Sequence, residues 1–568
     1  MSKKSKIIMI SVSAAVVLAI ALTLILYFTL RTAETINLSF TAAQVEDEQK
    51  IKVEWKASSN VDRVTINVKN SDNEIQNSVT LSTPTAIAKG YALIDASYGK
   101  QTVEVTVKKA LGLEATQSRQ VNVFTDEYVI APLVATMPVT FFSLSLPEYS
   151  DNYSIPTFVW LQRGGAWDYS NLHENVYMIP VGNYSDMSTY SDPSYMYEKT
   201  SKWIKELYEI NPSSKFHLYY NDYHPWGWMQ ATFANGIPAE NYDVTLLSDG
   251  TGSYAAFAEF LNAPDSDRVF ADMLNDYNKL KQQISNRHSY ASTDLTLAIR
   301  ATELRHYVFH MITEEKNVQL VLARDFVTND MPKDNPMRPT FLELISNAEN
   351  PDRPIKIQSM YNLLKAMTDK EKEDLKRLYK FSDNMFEKAV EENKKIMVFM
   401  GTRTDLETDF DELVKATMAH YGDEYVYYYK GHPGTPTQMD DAKAARLEAL
   451  GLIDIDSTIS AELIFFFNQE ACATGYETST YNSLNDEQVC GVWNTRLSGV
   501  NSEYKDKVDY TLTALSSSDA EFGALASGEC YLFEFADATK YNAAVYYKNS
   551  NTIKYFKKTA NGFTEVSK

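Results

Sequence analysis

The pattern of apolar residues changes once along this chain, near residue 126, and that change sets what the chain can fold into. From about Ile36 to Asp126 single apolar residues alternate with polar ones: Ile51, Val53, Trp55 and Ala57, then Val64, Ile66 and Val68, then Val103, Val105 and Val107. A period of two buries one face of a strand and leaves the other in water. Beyond a connection containing Pro132, Pro138 and Pro147, alternation gives way to short continuous apolar runs: Thr157–Gln162, Lys215–Tyr220, Asp243–Leu247, Val318–Ala323 and Lys395–Met400. Runs of that length read as strands covered on both faces. Long amphipathic stretches, Asp267–Ser289 and Thr368–Asn393, read as helices between them, the second with a cap-like Thr368. Strands alternating with helices imply parallel, doubly wound sheets. About 380 residues exceed one such core, so two Rossmann-like domains are expected.

The resulting layout has residues 1–6 as a cytoplasmic tail, 7–30 as a transmembrane signal anchor and 33–126 as a β-sandwich, most simply immunoglobulin-like. Rossmann-like domains follow at 127–312 and 313–510, with a C-terminal extension at 511–568. The sandwich reads as a spacer or accessory binding module, with Trp55 in its core. The anchor rests on Lys3, Lys4 and Lys6 preceding an uncharged, mostly apolar run from Ile7 to Leu30. That run is long enough to span a bilayer, and the lysines place the amino terminus in the cytoplasm and the rest of the chain outside it. A net charge of -21 argues against a nucleic-acid partner, which needs a basic footprint. Cys472, Cys490 and Cys530 form no CxxC pair, so a cysteine zinc or redox site is not indicated, and no disulfide framework is expected. The odd count leaves at least one thiol free or intermolecular.

Four places carry chemistry. The strand-like run Glu424–Tyr429 ends in Lys430-Gly431-His432-Pro433-Gly434, a cation and an imidazole between glycines at a strand's carboxyl end, where open α/β sheets bind ligands. Such a turn is either an anion site or a surface turn with an incidental histidine. Ser248-Asp249-Gly250 follows another strand; Asp249 is placed to act as a general base or to cap the next helix. Asn221-Asp222-Tyr223-His224-Pro225-Trp226-Gly227-Trp228 joins polar groups to indoles that can stack on sugar rings or anchor a loop. Glu462, then Thr478 and Ser479, offer a carboxylate and paired hydroxyls, suited to a phosphate or to ordinary helix caps.

The order of these motifs, with Gly401-Thr402-Arg403-Thr404 between them, resembles glycosyltransferase family 80, the bacterial sialyltransferases that use CMP-sialic acid. The resemblance runs from about Phe158 to Leu484. Some members of that family also carry an immunoglobulin-like domain ahead of the catalytic pair. It implies a GT-B architecture, two Rossmann-like domains facing a cleft, with inverting, metal-independent chemistry. It implies Asp249 as general base and His432 as the group stabilising the departing phosphate. Lys430, Gly431, Pro433, Glu462, Thr478, Ser479 and Thr402 would bind the donor, with Glu462 on the ribose. Asn221, His224, Trp226 and Asp405 would face the acceptor. Ser248 stands where the family has a first acidic residue, and Asp405 where familiar members have an acceptor-stacking tryptophan. The implied partners are a nucleotide sugar and a glycan, with no cofactor besides the CMP-sugar substrate.

Two rivals compete. His306 and His310 have zinc-compatible helical spacing, but the glutamate of an HExxH motif is missing and packed helix histidines explain them better. A non-catalytic glycan-binding surface protein derived from a transferase would fit the outward topology and the altered positions Ser248 and Asp405. Retention of both Asp249 and His432 speaks for the enzyme.

Overall fold

The computed structural model describes residues 15–26, 36–134, 136–149, 155–161, 167–180, 193–222, 236–248, 318–323, 355–402, 408–432, 441–500 and 504–568, with short breaks at 47, 58–60 and 110–111 and further pairs at 264–265 and 333–334. It divides into two compact units, residues 1–126 with 202–214, and residues 127–201 with 215–568. Of the apolar run 7–30, residues 15–26 are described and helical, with nearly every side chain exposed; the remainder lies outside the described residues. Among the described residues no helix is long and apolar enough to cross a membrane.

The first unit is a sandwich of two antiparallel sheets. β1 (Leu38–Gln44), β2 (Lys50–Ala57) and β5 (Tyr91–Asp95) form one, in the order β1-β2-β5. β3 (Arg63–Lys69), β4 (Ile75–Leu81), β6 (Gly99–Lys108) and β7 (Glu114–Val123) form the other, in the order β4-β3-β6-β7. The alternating residues Ile51, Val53, Trp55, Val64, Ile66, Val68, Val103, Val105 and Val107 are all buried, as the period of two requires. Asn73 makes the turn into β4 with φ of 64°, a left-handed conformation that asparagine tolerates. Residues 202–214 join this unit: Trp203 Nε1 donates to Tyr98 O at 3.3 Å, and Lys100 N donates to Glu206 at 2.6 Å.

The second unit contains two large sheets. In the first, β8 (Glu127–Leu133), β9 (Thr157–Leu161), β10 (Val176–Met178), β11 (Lys215–Asn221), β12 (Tyr242–Leu247), β13 (Val318–Leu322) and β14 (Ile355–Ile357) lie all parallel in the order β10-β9-β8-β11-β12-β13-β14. Because β13 and β14 pair here, the boundary expected at 312/313 is wrong; the first sheet reaches Ile357. Hydrophobic runs alone do not say which sheet a strand joins.

The second sheet begins with β15 (Lys395–Met400), β16 (Tyr425–Lys430), β17 (Ile453–Ile455), β18 (Ala471–Gly475), β19 (Val489–Trp493) and β20 (Tyr510–Leu515), parallel in the order β17-β16-β15-β18-β19-β20. Residues 511–568 are not a separate extension: β21 (Cys530–Phe535), β22 (Ala543–Tyr547), β23 (Thr552–Thr559) and β24 (Gly562–Val566) continue this sheet antiparallel. Renumbered within each sheet, the first six strands of both follow the doubly wound order 3-2-1-4-5-6, with β14 added in the first sheet and β21 to β24 in the second.

The helices needed below are α1 (Thr136–Tyr149), α2 (Met360–Ala366), α3 (Asp369–Leu378), α4 (Glu387–Glu392), α5 (Phe410–Tyr421), α6 (Asp441–Ala449), α7 (Ala461–Phe467) and α8 (Thr480–Ser483). Thr368 does cap α3, in a reciprocal capping box with Glu371. The single helix expected over 368–393 is instead two, α3 and α4, broken by Lys380 at φ of 52°. Tyr379 explains the break. It is 2% exposed and its hydroxyl lies 2.7 Å from Ser143 Oγ on α1, so burial there outweighs continued helix. The first sheet and α1, α2 and α3 share one apolar cluster with Leu463 and Phe466 of α7, so the two sheets are packed through helices.

Candidate functional site

Four strands of the second sheet end level with one another. Met400 pairs with Lys430 on one side and Gly475 on the other, and Lys430 pairs with Ile455. The direction of winding reverses between β15 and β18, which makes their carboxyl ends the switch point where such sheets bind ligands. Thr402, His432, Thr478 and Ser479 all leave the sheet within two to four residues of that row. Gly475 has φ of +132°, and a Cβ there would meet Met400 O at 2.6 Å, so only glycine lets these strand ends close up.

Lys430 is 1% exposed, and its ammonium donates to Gly431 O at 2.8 Å and Ser457 O at 2.9 Å. Burial pulls its pKa down to about 8, opposed by Glu462, Asp456 and Asp454. The cation therefore ties the turn carrying His432 to the loop after β17, with one N–H left over among the described residues. His432 and Thr402 are half-buried.

Glu462 is 4% exposed and both its oxygens are engaged: Ser460 Oγ donates to Oε2 at 2.7 Å and Thr480 Oγ1 to Oε1 at 3.0 Å. Ser460 is the N-cap of α7 but its oxygen accepts no backbone N–H of that helix, and its proton goes to Glu462. Its oxygen lies 3.0 Å from Thr140 Oγ1 on α1. Thr478 and Ser479 are half-buried; Ser479 makes no side-chain cap to α8, and Thr478 approaches Thr480 only at 3.4 Å. Thr478 Oγ1 also accepts the Thr480 backbone N–H at 3.4 Å, a long bond at the start of α8.

Across the unit, β8 and β11 flank the switch point of the first sheet. Asn221 ends β11, is 0% exposed, and among the described residues neither its amide nitrogen nor its amide oxygen has a hydrogen-bond partner. Leaving such atoms unpaired costs roughly 1–3 kcal/mol each. Asp222 is 5% and Ser248 0% exposed beside it at the carboxyl ends of β11 and β12. Asp249, His224, Trp226, Asp405 and Pro433, and the rival pair His306 and His310, lie outside the described residues.

Several polar residues around the site escaped the sequence reading. Asp409 accepts from Tyr476 Oη at 2.8 Å and Asn494 Nδ2 at 2.9 Å, joining the carboxyl ends of β18 and β19 to the start of α5. Thr140 also went unread, and Ser460 and Thr480, which lie within the Glu462 and Thr478-Ser479 motifs, were not read as partners of Glu462, although the spacing Ser460-x-Glu462 could have suggested a local carboxylate–hydroxyl pair. Nor was a disulfide expected, yet Cys472 and Cys490 form one on adjacent strands, Cα atoms 6.0 Å apart. A register shift pairs Ala473 with Val489 and Thr474 with Gly491, and the intervening Cys490 is turned onto the face of Cys472. Cys530 is free and buried.

No known family matches the chain by sequence, and no curated protein does. Among solved structures, it is similar to the galactoside α-2,3-sialyltransferase of Photobacterium phosphoreum, at 14% identity and a TM-score of 0.48 over 67% of this chain and 95% of that one. It is also similar to a 2,6-sialyltransferase of a Vibrionaceae Photobacterium species, in complex with CMP and lactose, at 12% identity and a TM-score of 0.45 over 82% and 89% of the two chains. A sialyltransferase from Photobacterium damsela matches at 13% identity and a TM-score of 0.44 over 82% and 95%.

Proposed function

We propose that this chain is an inverting, metal-independent glycosyltransferase of GT-B architecture, similar to family 80, that moves sialic acid or a related sugar from a CMP-activated donor to a glycan hydroxyl. The observation that carries this reading is the level row of strand ends at the β15/β18 switch point, with Thr402, His432, Thr478 and Ser479 beside it and Glu462 buried nearby.

In this reading the donor phosphate sits by His432, Thr478 and Ser479. Asp249 takes the proton of the acceptor hydroxyl as its oxygen bonds to the anomeric carbon. The bond from that carbon to the phosphate oxygen breaks, and its electron pair leaves with CMP. Hydrogen bonds from His432 and the paired hydroxyls stabilise the charge gathering on the leaving phosphate. Attack opposite the leaving group inverts the configuration. Asn221, with an amide donor and an acceptor both unused, suits the hydroxyls of a sugar.

The apolar run 7–30 is proposed as a signal anchor with the remaining chain outside the cytoplasm. The Cys472–Cys490 bridge supports that placement, since disulfides persist in oxidising compartments. The sandwich of residues 38–123 is proposed as an immunoglobulin-like accessory module.

The test is CMP release from CMP-sialic acid with a panel of glycan acceptors, in wild type, Asp249→Ala and His432→Ala, with and without chelator. Loss of turnover in both variants, and indifference to chelator, is the expected result. Equal turnover in all three proteins defeats the site assignment. An inert wild type with every nucleotide sugar favours a glycan-binding protein.

A further inference from the structure

We infer that Thr480 and Ser460 are positioning residues that hold the Glu462 carboxylate to accept a vicinal diol, and that they thereby set a preference of this site for a ribonucleotide over its 2′-deoxy counterpart. The inference rests on the donor reading proposed above.

A carboxylate offers about four lone-pair directions, two on each oxygen. The protein occupies one on each: Ser460 Oγ at 2.7 Å on Oε2 and Thr480 Oγ1 at 3.0 Å on Oε1. One direction remains on either oxygen, which is the arrangement that receives two adjacent hydroxyls together. A single flexible glutamate can rotate to satisfy one hydroxyl at a time. With both oxygens pinned, it can favour only a ligand presenting two.

The pinning is directional. Ser460 has one proton, and donating it to Glu462 leaves its oxygen to accept. Thr140 Oγ1 on α1, 3.0 Å away, is placed to supply that bond, with Thr136 O at 3.1 Å as the other acceptor in reach of the same proton. On the other side, Thr480 is 4% exposed and its only described side-chain acceptor is Glu462. Thr478 Oγ1 donates to Thr480 Oγ1 and accepts from Thr480 N, both at 3.4 Å, so its proton is held by a long bond and can turn to a phosphate while Thr480 stays on the carboxylate. Glu462 itself is 4% exposed, so water competes little for the remaining directions and each hydrogen bond there counts heavily.

The experiment is equilibrium binding of CMP and 2′-deoxy-CMP to the full chain, in wild type, Thr480→Val, Thr480→Ser, Ser460→Ala and Glu462→Ala. A hydroxyl hydrogen-bonded to a buried carboxylate predicts that wild type prefers CMP by about 10-fold or more. Thr480→Val and Ser460→Ala should bring that ratio below about 3-fold, and Thr480→Ser should restore it. Because both nucleotides see the same folded fraction, partial unfolding of a variant leaves the ratio untouched, and a merely structural role would not move it. If Glu462→Ala abolishes the preference while Thr480→Val and Ser460→Ala keep it, the donor reading stands and this inference is overturned. Equal binding of the two nucleotides by wild type also overturns it. If wild type binds neither nucleotide, the donor reading fails and takes the inference with it.

Discussion

Replacing Lys430 by methionine separates two roles that a lysine at a strand end can play. The substitution keeps nearly the same length and volume but removes the ammonium. In the native chain that ammonium is 1% exposed, and its pKa falls from 10.5 to about 8. Keeping it charged at neutral pH against that preference costs about 3 kcal/mol. Against this, methionine leaves the carbonyls of Gly431 and Ser457 without their donor, at roughly 1–3 kcal/mol each. The two terms nearly cancel, so stability at pH 7 should change by no more than about 3 kcal/mol. Activity should not be spared. Releasing Gly431 frees the turn that carries His432, and a misplacement of about 1 Å costs on the order of 100-fold in kcat. The pH dependence gives the sharper test. The folded pKa lies below the unfolded one, so between about pH 8 and 10.5 the unfolded chain binds more protons, and Lys430's contribution to stability rises with pH through that window. Urea midpoints measured from pH 7 to 10.5 should therefore show wild type gaining on Lys430→Met as pH rises. Parallel pH curves, or full turnover in the variant, would refute the assignment of Lys430 as a buried tie.

His217, on β11, bonds Asp243 Oδ2 through Nδ1 at 2.7 Å, and that bond is the largest cause raising its pKa above 6.5. The stabilisation is complete below the unfolded pKa and is lost as pH rises through the folded one, so Asp243→Asn should lower the His217 midpoint in an NMR titration and flatten stability in that range; an unmoved midpoint contradicts the pairing. Thiol titration in denaturant should find one group, Cys530, before reduction and three after it; three without reductant would dissolve the Cys472–Cys490 bridge.

The elements that could be read from sequence are those whose signal is local. Lys395–Met400 was legible because five consecutive positions, Ile396–Met400, are apolar between two lysines and a glycine. Thr368 was legible because the partners of a capping box are only three residues apart. The failures share the opposite property. The break at Tyr379 depends on Ser143, 236 residues away, and the link from Thr140 to Ser460 spans 320. Membership of β13 and β14 in the first sheet is a choice between two partners that present similar hydrophobic faces. The disulfide depended on a register shift, which no spacing rule reports. Asp409 carried no local signal; its partners Tyr476 and Asn494 lie 67 and 85 residues downstream.

Buried polar groups argue for function most strongly where structure alone would have removed them. Thr474 is fully buried, but its hydroxyl serves Gly491 O at 3.1 Å and Tyr510 Oη at 2.7 Å, so folding accounts for it. His420 is buried among Tyr421, Tyr510, Phe533, Phe535 and Tyr555, and burial pushes its imidazole down to about 3; a bond to Tyr555 Oη at 3.0 Å satisfies it in the neutral form. Asn221 has no such account. A leucine or alanine at the end of β11 would avoid the cost of two unpaired amide atoms, on the order of 2–6 kcal/mol together. Local rules broken without a structural return concentrate at sites that bind something. Asn221 breaks one at the switch point of the first sheet, while the helix leaving β8 at that same point carries Thr140 to Ser460 and so to Glu462. The two lobes of the proposed site are therefore joined by a chain of hydroxyls as well as by apolar packing, and a ligand's hydroxyls are the simplest partners for the amide left over.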